Sequence, residues 1–145
     1  MTKDTNAKSA LVEALCALVA TDLETIDRRQ ADTAAGATHE ENRAEHAKDT
    51  RATEDSYLAR GLAERAAALR RNLEALRKAP LPSFGEDDPI PVGALVTVVT
   101  AIDDETPTEE RWFVVPGAAG LQVERDGHPV LAVQPASPLG QALLG

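Results

Sequence analysis

Carboxylates at helical spacing are the side chains of this chain best suited to chemistry. Glu41, Glu45 and Asp49 recur at every fourth residue, so on a helix they line one face, and Glu40 stands beside them. Carboxylates on one face can help ligate a divalent cation or attract a basic site on a partner. Their mutual repulsion costs roughly 0.2–0.5 kcal/mol per pair, and a position near a helix start offsets part of that cost.

The spacing of this acidic segment is compatible with two interpretations. Thr38 and Glu41 have the spacing of a capping box, which predicts a helix start at Thr38 followed by a solvated helical face. Alternatively, the carboxylates are presented to a cation or a basic site on a partner. Residues 36–55 contain no leucine, isoleucine, valine or aromatic residue, so we expect this stretch to lie outside any core.

Motifs of a free-standing enzyme are missing from the sequence. His39 opens a pattern like that of a zinc-protease helix, but Arg43 stands where the second histidine belongs. His39 and His46 are two helical turns apart, too far to share a metal ion within one helix. We therefore predict no catalytic residues and no cofactor of its own, and we interpret Cys16 as a small hydrophobic residue.

Composition narrows the class of protein. The 145 residues carry a formal net charge of -9, which argues against a broad basic surface for nucleic acid. A single cysteine cannot form an internal disulfide and indicates a reducing compartment. No apolar run approaches the ~18 residues of a membrane span. We expect a cytoplasmic protein that does not enter a membrane.

The acidic segment lies between two apolar helical patterns. Residues 6–34 carry a heptad-like stripe that includes Val12, Leu15, Val19 and Ile26. Gly36 permits a helix to end, and a second helix is predicted over residues 38–78, with leucines in its second half. We predict an antiparallel helical hairpin, a coiled coil, over residues 1–79, with its acidic tip near residues 36–49. The predicted leucine seam of the second helix consists of Leu58, Leu62, Leu69, Leu73 and Leu76.

The rest of the chain predicts a small β domain. Residues 80–91 form a proline-rich linker, and the hydrophobic period then changes to two, so residues 92–145 are predicted to be an antiparallel β-rich domain. Asp126-Gly127 indicates a hairpin turn, and Ser137-Pro138 indicates the start of a short final helix. The adjacent Trp112 and Phe113 should point to opposite faces of a strand. The fold class is α+β. Strands are predicted over residues 94–102, 111–115, 121–124 and 129–133.

The order of these parts, together with two short motifs, resembles the bacterial Gre transcript-cleavage factors. The last nine residues, SPLGQALLG, match a recurrent Ser-Pro-x-Gly-x-Ala-Leu-Leu-Gly signature of that family's C-terminal domain. Gly36, Glu41-Asn42 and, after one inserted residue, Ala44-Glu45 resemble the family's tip, Gly-Asp-x-x-Glu-Asn-Ala-Glu. By this resemblance the β domain has an FKBP-like fold.

The resemblance implies a mechanism that needs no catalytic residue in this chain. The β domain would dock on bacterial RNA polymerase through Ser137 and Pro138, and the hairpin would enter the secondary channel. Glu41, with Glu40 and Glu45 nearby, would help to hold a magnesium ion shared with the polymerase active site, where a water cleaves backtracked RNA. RNA would be met only within the transcription complex. An isomerase activity like that of FKBP proteins is not expected, because the chain has few aromatic residues.

Two departures from the family pattern shape the functional hypotheses. First, Thr38 stands where the tip aspartate of the family belongs. Second, the sequence ends after the nine-residue segment, whereas the family domain continues with two more strands. We therefore expect a sheet edge that is uncovered or is completed by another chain. The leading hypothesis is a Gre-like secondary-channel protein that regulates transcription elongation, by stimulating cleavage of backtracked RNA or as a non-cleaving regulator. The alternative is a helical-hairpin adaptor unrelated to polymerase.

Overall fold

The computed structural model describes the backbone of residues 2–41, 48–101 and 106–145, and the side chains of these residues except 2–5, 34–41, 48–53 and 55. The described part is an α+β protein, as predicted, with two long helices followed by a small sheet and a short helix. The elements are α1 (Thr2–Glu41), α2 (Lys48–Lys78), β1 (Leu95–Thr100), β2 (Thr108–Val114), β3 (Gln122–Arg125), β4 (His128–Val133) and α3 (Pro138–Leu143).

The first helix is longer than the sequence pattern predicts. α1 continues through Gly36 and Thr38 and ends at Glu41, so the predicted helix break at Gly36 is wrong. A glycine within a helix costs only about 1 kcal/mol relative to alanine, and the alanines on both sides of Gly36 favour continuation. Because an N-cap residue has a non-helical backbone, Thr38 does not cap α2. The second helix begins at Lys48.

Contacts divide the chain into two units. The sheet unit comprises Met1–Val19 and Asn72–Gly145, and the helical unit comprises Ala20–Arg71. In the sheet unit, Leu11, Leu15 and Val19 form a buried stripe on α1 at four-residue spacing, and Leu73 and Leu76 are buried on α2. Leu15 and Val19 of the predicted stripe are thus buried, whereas Val12 is half-buried.

The helical unit is less completely buried. Ala66 and Leu69 are buried on α2, whereas Leu58 is 53% exposed, so its predicted place in the leucine seam is wrong. Asp27 of α1 accepts a hydrogen bond from Arg70 of α2, with 3.2 Å between Oδ1 and Nη2. Both side chains are about half exposed, and an ion pair of that kind contributes about 0–1 kcal/mol.

The sheet is mixed. Its strand order is β1-β2-β4-β3, with antiparallel pairing of β1 with β2 and of β3 with β4, but parallel pairing of β2 with β4. The prediction of a purely antiparallel domain is therefore wrong. Two neighbouring parallel strands need a long crossover connection between them. Here β3 and its turn form that connection, because β3 reverses the chain direction before β4 runs parallel to β2.

Two turns that contain glycine lie at strand ends of the sheet, one between β3 and β4 and one before β1. Asp126 and Gly127 have φ values of 52° and 77°, as in the type I′ turn that Asp-Gly pairs favour, and they join β3 to β4 as predicted. Gly93 has φ 91° and follows the pattern of a turn that leads into a G1 bulge. Ala94 N donates to Pro91 O at 3.2 Å, Gly93 N to Val114 O at 2.7 Å, and Val114 N to Ala94 O at 2.9 Å.

The core of the sheet unit lies along β2 and β4. Phe113 is fully buried, whereas its neighbour Trp112 is half-buried and donates from Nε1 to Glu110 Oε2 at 3.0 Å. Both aromatic residues lie on β2, and their orientation toward opposite faces of the strand stays a prediction. The other buried residues of this core are Val114, Val115, Val130, Ala132 and Val133.

None of the described helices is long and apolar enough to pass through a membrane.

Candidate docking site at the carboxyl-terminal helix

The start of α3 is held by Ser137, the residue that the sequence predicts as its N-cap. The Ser137 side chain accepts a hydrogen bond from Gly140 N at 3.1 Å, and its Oγ donates to Gln134 O at 2.7 Å. The Ser137 backbone is extended, and Pro138 occupies the first turn, where its missing N–H costs nothing. The Ser-Pro pair therefore forms the start of α3, and the Ser137 hydroxyl both donates and accepts a hydrogen bond.

Gly140 lets α3 lie against the segment that precedes it. Gly140 is buried, and a Cβ placed on it would lie 2.1 Å from Gln134 O and 2.8 Å from Pro135 O, closer than atoms can approach. The glycine of the nine-residue segment is thus required by packing. Gln134 also accepts from Gly117 N through its side-chain Oε1 at 3.2 Å. Sequence reasoning missed Gln134, because a lone glutamine belongs to no motif.

The other residues of this segment form an exposed apolar surface. Pro138 is exposed, Leu139 is 48% exposed, and Ala142 lies on the exposed side one turn further along the helix. Within the same short helix, Leu143 is half-buried. Ser137 and Gly140 hold the helix, while Pro138, Leu139 and Ala142 face solvent. These three define the candidate docking surface, whereas the family resemblance implies docking through Ser137 and Pro138.

Substitution of Ser137 by alanine should lower the free energy of unfolding by about 1 kcal/mol, within the 0.5–2 kcal/mol range for loss of an N-cap. The reason is that Gly140 N loses its acceptor. Urea unfolding followed by circular dichroism measures the difference. Ser83→Ala, at an exposed serine outside α3, serves as the control and should change stability by less than about 0.5 kcal/mol. Equal effects would show that the cap contributes nothing.

The predicted acidic residues are placed only in part. Glu40 and Glu41 lie in the last turn of α1, not in the first turn of α2, and the structure describes their backbone alone. Glu45 lies outside the described residues. A proximity of the three carboxylates therefore stays a prediction. Where the structure describes side chains, no group of three histidine, cysteine, aspartate or glutamate residues could hold a metal ion.

Cys16 is a half-buried free thiol on α1. Burial raises the pKa of the Cys16 thiol; the charge of Arg77 opposes this shift and that of Glu13 adds to it. A raised pKa keeps the thiol protonated at neutral pH, and a protonated thiol is a poor nucleophile. The sulfur therefore has the character of a small hydrophobic group.

Three comparisons, with protein-family models, with curated proteins and with solved structures, find no significant match to this chain.

Proposed function

We propose that this chain is a Gre-like protein that binds the secondary channel of bacterial RNA polymerase and regulates transcription elongation. The observation that carries the proposal is the contrast between buried and exposed residues within the nine-residue segment. Ser137 and Gly140 hold α3, and Pro138 and Leu139 remain exposed on an otherwise acidic protein. An exposed apolar surface on a capped helix is suited to docking on a protein.

The proposal includes an antiparallel hairpin made by α1 and α2. Two observations support it: Arg70 of α2 bonds to Asp27 of α1, and Arg77 of α2 acts electrostatically on Cys16 of α1. The later residue of α2, Arg77, thus acts on the earlier residue of α1, Cys16, as expected of antiparallel helices. The proposal also gives the sheet domain an FKBP-like fold related to the Gre C-terminal domain, and it places the protein in the cytoplasm with its polymerase.

In this proposal Glu41 acts on a magnesium ion of the polymerase, with Glu40 and Glu45 nearby. Magnesium requires near-octahedral coordination by oxygen, and Glu41 supplies one carboxylate, so the polymerase and water must supply the remaining ligands. A single carboxylate ligand fits an accessory role at a metal site of the polymerase and does not fit a metal site held by this chain itself. The ion would supply an activated water for RNA cleavage. Glu41 would contribute negative charge that favours binding of the ion.

Backtracked polymerase complexes test the proposal directly. Purified complexes are incubated in magnesium with and without the protein, and transcript length is measured. Shortened transcripts would make the protein a cleavage factor. No cleavage, together with competition against an authentic Gre factor, would make it a non-cleaving regulator, which Thr38 at the position of the tip aspartate favours. Neither effect would overturn the polymerase proposal.

Replacement of Glu41 by glutamine should slow stimulated cleavage at least about tenfold, the lower end of the effect of losing a metal-site group. Glutamine keeps the size of the side chain and removes the charge that holds the cation. Glu54→Gln on the exposed surface of α2 is the matched control and should leave the rate unchanged. An equal loss in both variants would assign the effect to net charge, and no loss in either would remove Glu41 from the mechanism.

A protein-binding adaptor is the second candidate function. Tyr57 and Leu58, adjacent on α2 in the helical unit, are 67% and 53% exposed and form an apolar site for contact with another protein. Affinity capture from a bacterial lysate separates the two candidates. Enrichment of polymerase subunits supports the first, and enrichment of other proteins, lost in a Tyr57→Ala variant but retained in Leu139→Ala, supports the second.

A further inference from the structure

The sheet unit contains a pocket whose lining includes no residue of α3. Its volume is about 260 Å³, and its lining comes from the start of α1, the segment before β1, the first residue of β1 and the last residue of β3. A liquid water occupies roughly 30 Å³, so the pocket has room for a ligand of about ten non-hydrogen atoms. The lining residues are Ala7, Lys8, Ser83, Phe84, Leu95 and Arg125.

Lys8 places a fixed positive charge at the wall of this pocket. The residue is only 5% exposed, and its Nζ donates to Pro82 O at 2.6 Å. The same nitrogen lies 5.2 Å from the centre of the Phe84 ring, within the range of a cation–π interaction. These contacts hold the ammonium group in position, and its low exposure reduces the screening of its charge by solvent.

Arg125 brings a second positive charge from the end of β3. It immediately precedes the Asp126-Gly127 turn, which fixes its backbone. Its Nε lies 3.6 Å from Asp126 Oδ2, and the Asp126 side chain is 79% exposed, so this ion pair is weak. The ion pair involves Nε of Arg125 and does not involve its two terminal nitrogens. Those two nitrogens are the guanidinium atoms that bind carboxylate or phosphate oxygens in a bidentate arrangement.

We infer that this pocket binds a small organic anion, in which a phosphate or carboxylate group is joined to a compact apolar group. Arg125 would bind the anionic oxygens, Lys8 would supply positive potential, and the Ser83 hydroxyl is available as a further donor. Phe84 and Leu95 would contact the apolar part. Binding must be salt-dependent and of modest affinity, because the chain as a whole carries a charge of -9 and repels anions at longer range.

Titration of the full chain with phenyl phosphate tests the inference. The probe has an aromatic ring, a phosphate group and a size that matches the pocket. Amide chemical shifts from ¹⁵N-labelled protein should change saturably at Lys8, Ser83, Phe84, Leu95 and Arg125. Phenol, the neutral counterpart, should produce no saturable change. Benzoate provides a second arm, and whichever anion binds more tightly identifies phosphate or carboxylate as the preferred group.

Arg125→Gln should weaken binding of phenyl phosphate at least about tenfold, as expected for loss of a charge-assisted hydrogen bond. Arg125→Lys keeps the charge and should lose less affinity. Arg71→Gln, an exposed arginine of α2 in the helical unit, is the matched control and should bind as the original chain does. Shift changes that never saturate, or an equal response in Arg125→Gln and the original chain, would overturn the inference. Polymerase is absent from this titration, so its outcome does not depend on the proposed function.

Discussion

Replacement of Gly93 by alanine should lower the free energy of unfolding by about 2–5 kcal/mol. Gly93 has φ 91°, a conformation that costs a residue with a Cβ roughly 1–2 kcal/mol. The added Cβ would also lie 1.9 Å from Pro80 O and 3.0 Å from Pro82 Cδ, so the segment before β1 must move away. Forced overpacking adds roughly 1–3 kcal/mol. Urea unfolding followed by Trp112 fluorescence gives the difference.

Gly127→Ala separates the two contributions. Gly127 has φ 77°, yet nothing lies within 4 Å of a Cβ built on it, so its substitution involves the backbone conformation without a clash. The expected loss is about 1–2 kcal/mol. If both alanine variants lost the same stability, the close approach of Gly93 to Pro80 would have no energetic consequence, and the packing of this segment against β1 would need another explanation.

Local patterns of the sequence predicted the elements that local forces determine. Asp126-Gly127 forms the expected turn because both residues tolerate positive φ, and Ser137 caps α3 because its oxygen reaches Gly140 N within one turn. Gly36 was misjudged by the same local reasoning. Its helical cost of about 1 kcal/mol is small beside the contribution of a continuous run of helix-forming neighbours, so α1 continues to Glu41.

Features set by distant parts of the chain were not predictable in this way. The parallel pairing of β2 with β4 depends on where the β3–β4 hairpin folds back, which no strand pattern encodes. The need for glycine at position 93 comes from Pro80 O, which belongs to another segment. Lys8 and Arg125 line one pocket although almost the whole chain separates them in sequence. Leu58 has the spacing of a buried leucine but is 53% exposed, so spacing alone does not determine burial.

The functional prediction rests on short motifs, and the structure gives some of their residues a second explanation. Ser137 caps α3 and Gly140 allows its close packing, so the presence of these two residues alone does not identify a docking site. Leu139 has no such structural role in the helix start, and its side chain is 48% exposed. Tests of the polymerase proposal should therefore change the exposed residues and use the buried ones for comparison.

A pair of neighbouring substitutions makes that test. Gly140→Ala should displace α3 and cost at least about 2 kcal/mol of stability, because its Cβ would lie 2.1 Å from Gln134 O and the overpacked helix start must shift. If α3 docks on polymerase, this substitution should also abolish polymerase binding, since the exposed surface moves with the helix. Leu139→Ala should change stability by less than about 1 kcal/mol, because Leu139 is 48% exposed.

If α3 docks on polymerase, Leu139→Ala should still weaken binding at least about fivefold, the scale of losing an apolar contact worth about 1 kcal/mol in an interface. Binding is measured by competition with a labelled Gre factor, and unfolding by urea titration of the same samples. Gln141→Ala, exposed on the same helix, is the matched control. Reduced binding in Gly140→Ala alone would assign the effect to misfolding of α3, whereas reduced binding in a stably folded Leu139→Ala protein requires contact between this surface and polymerase.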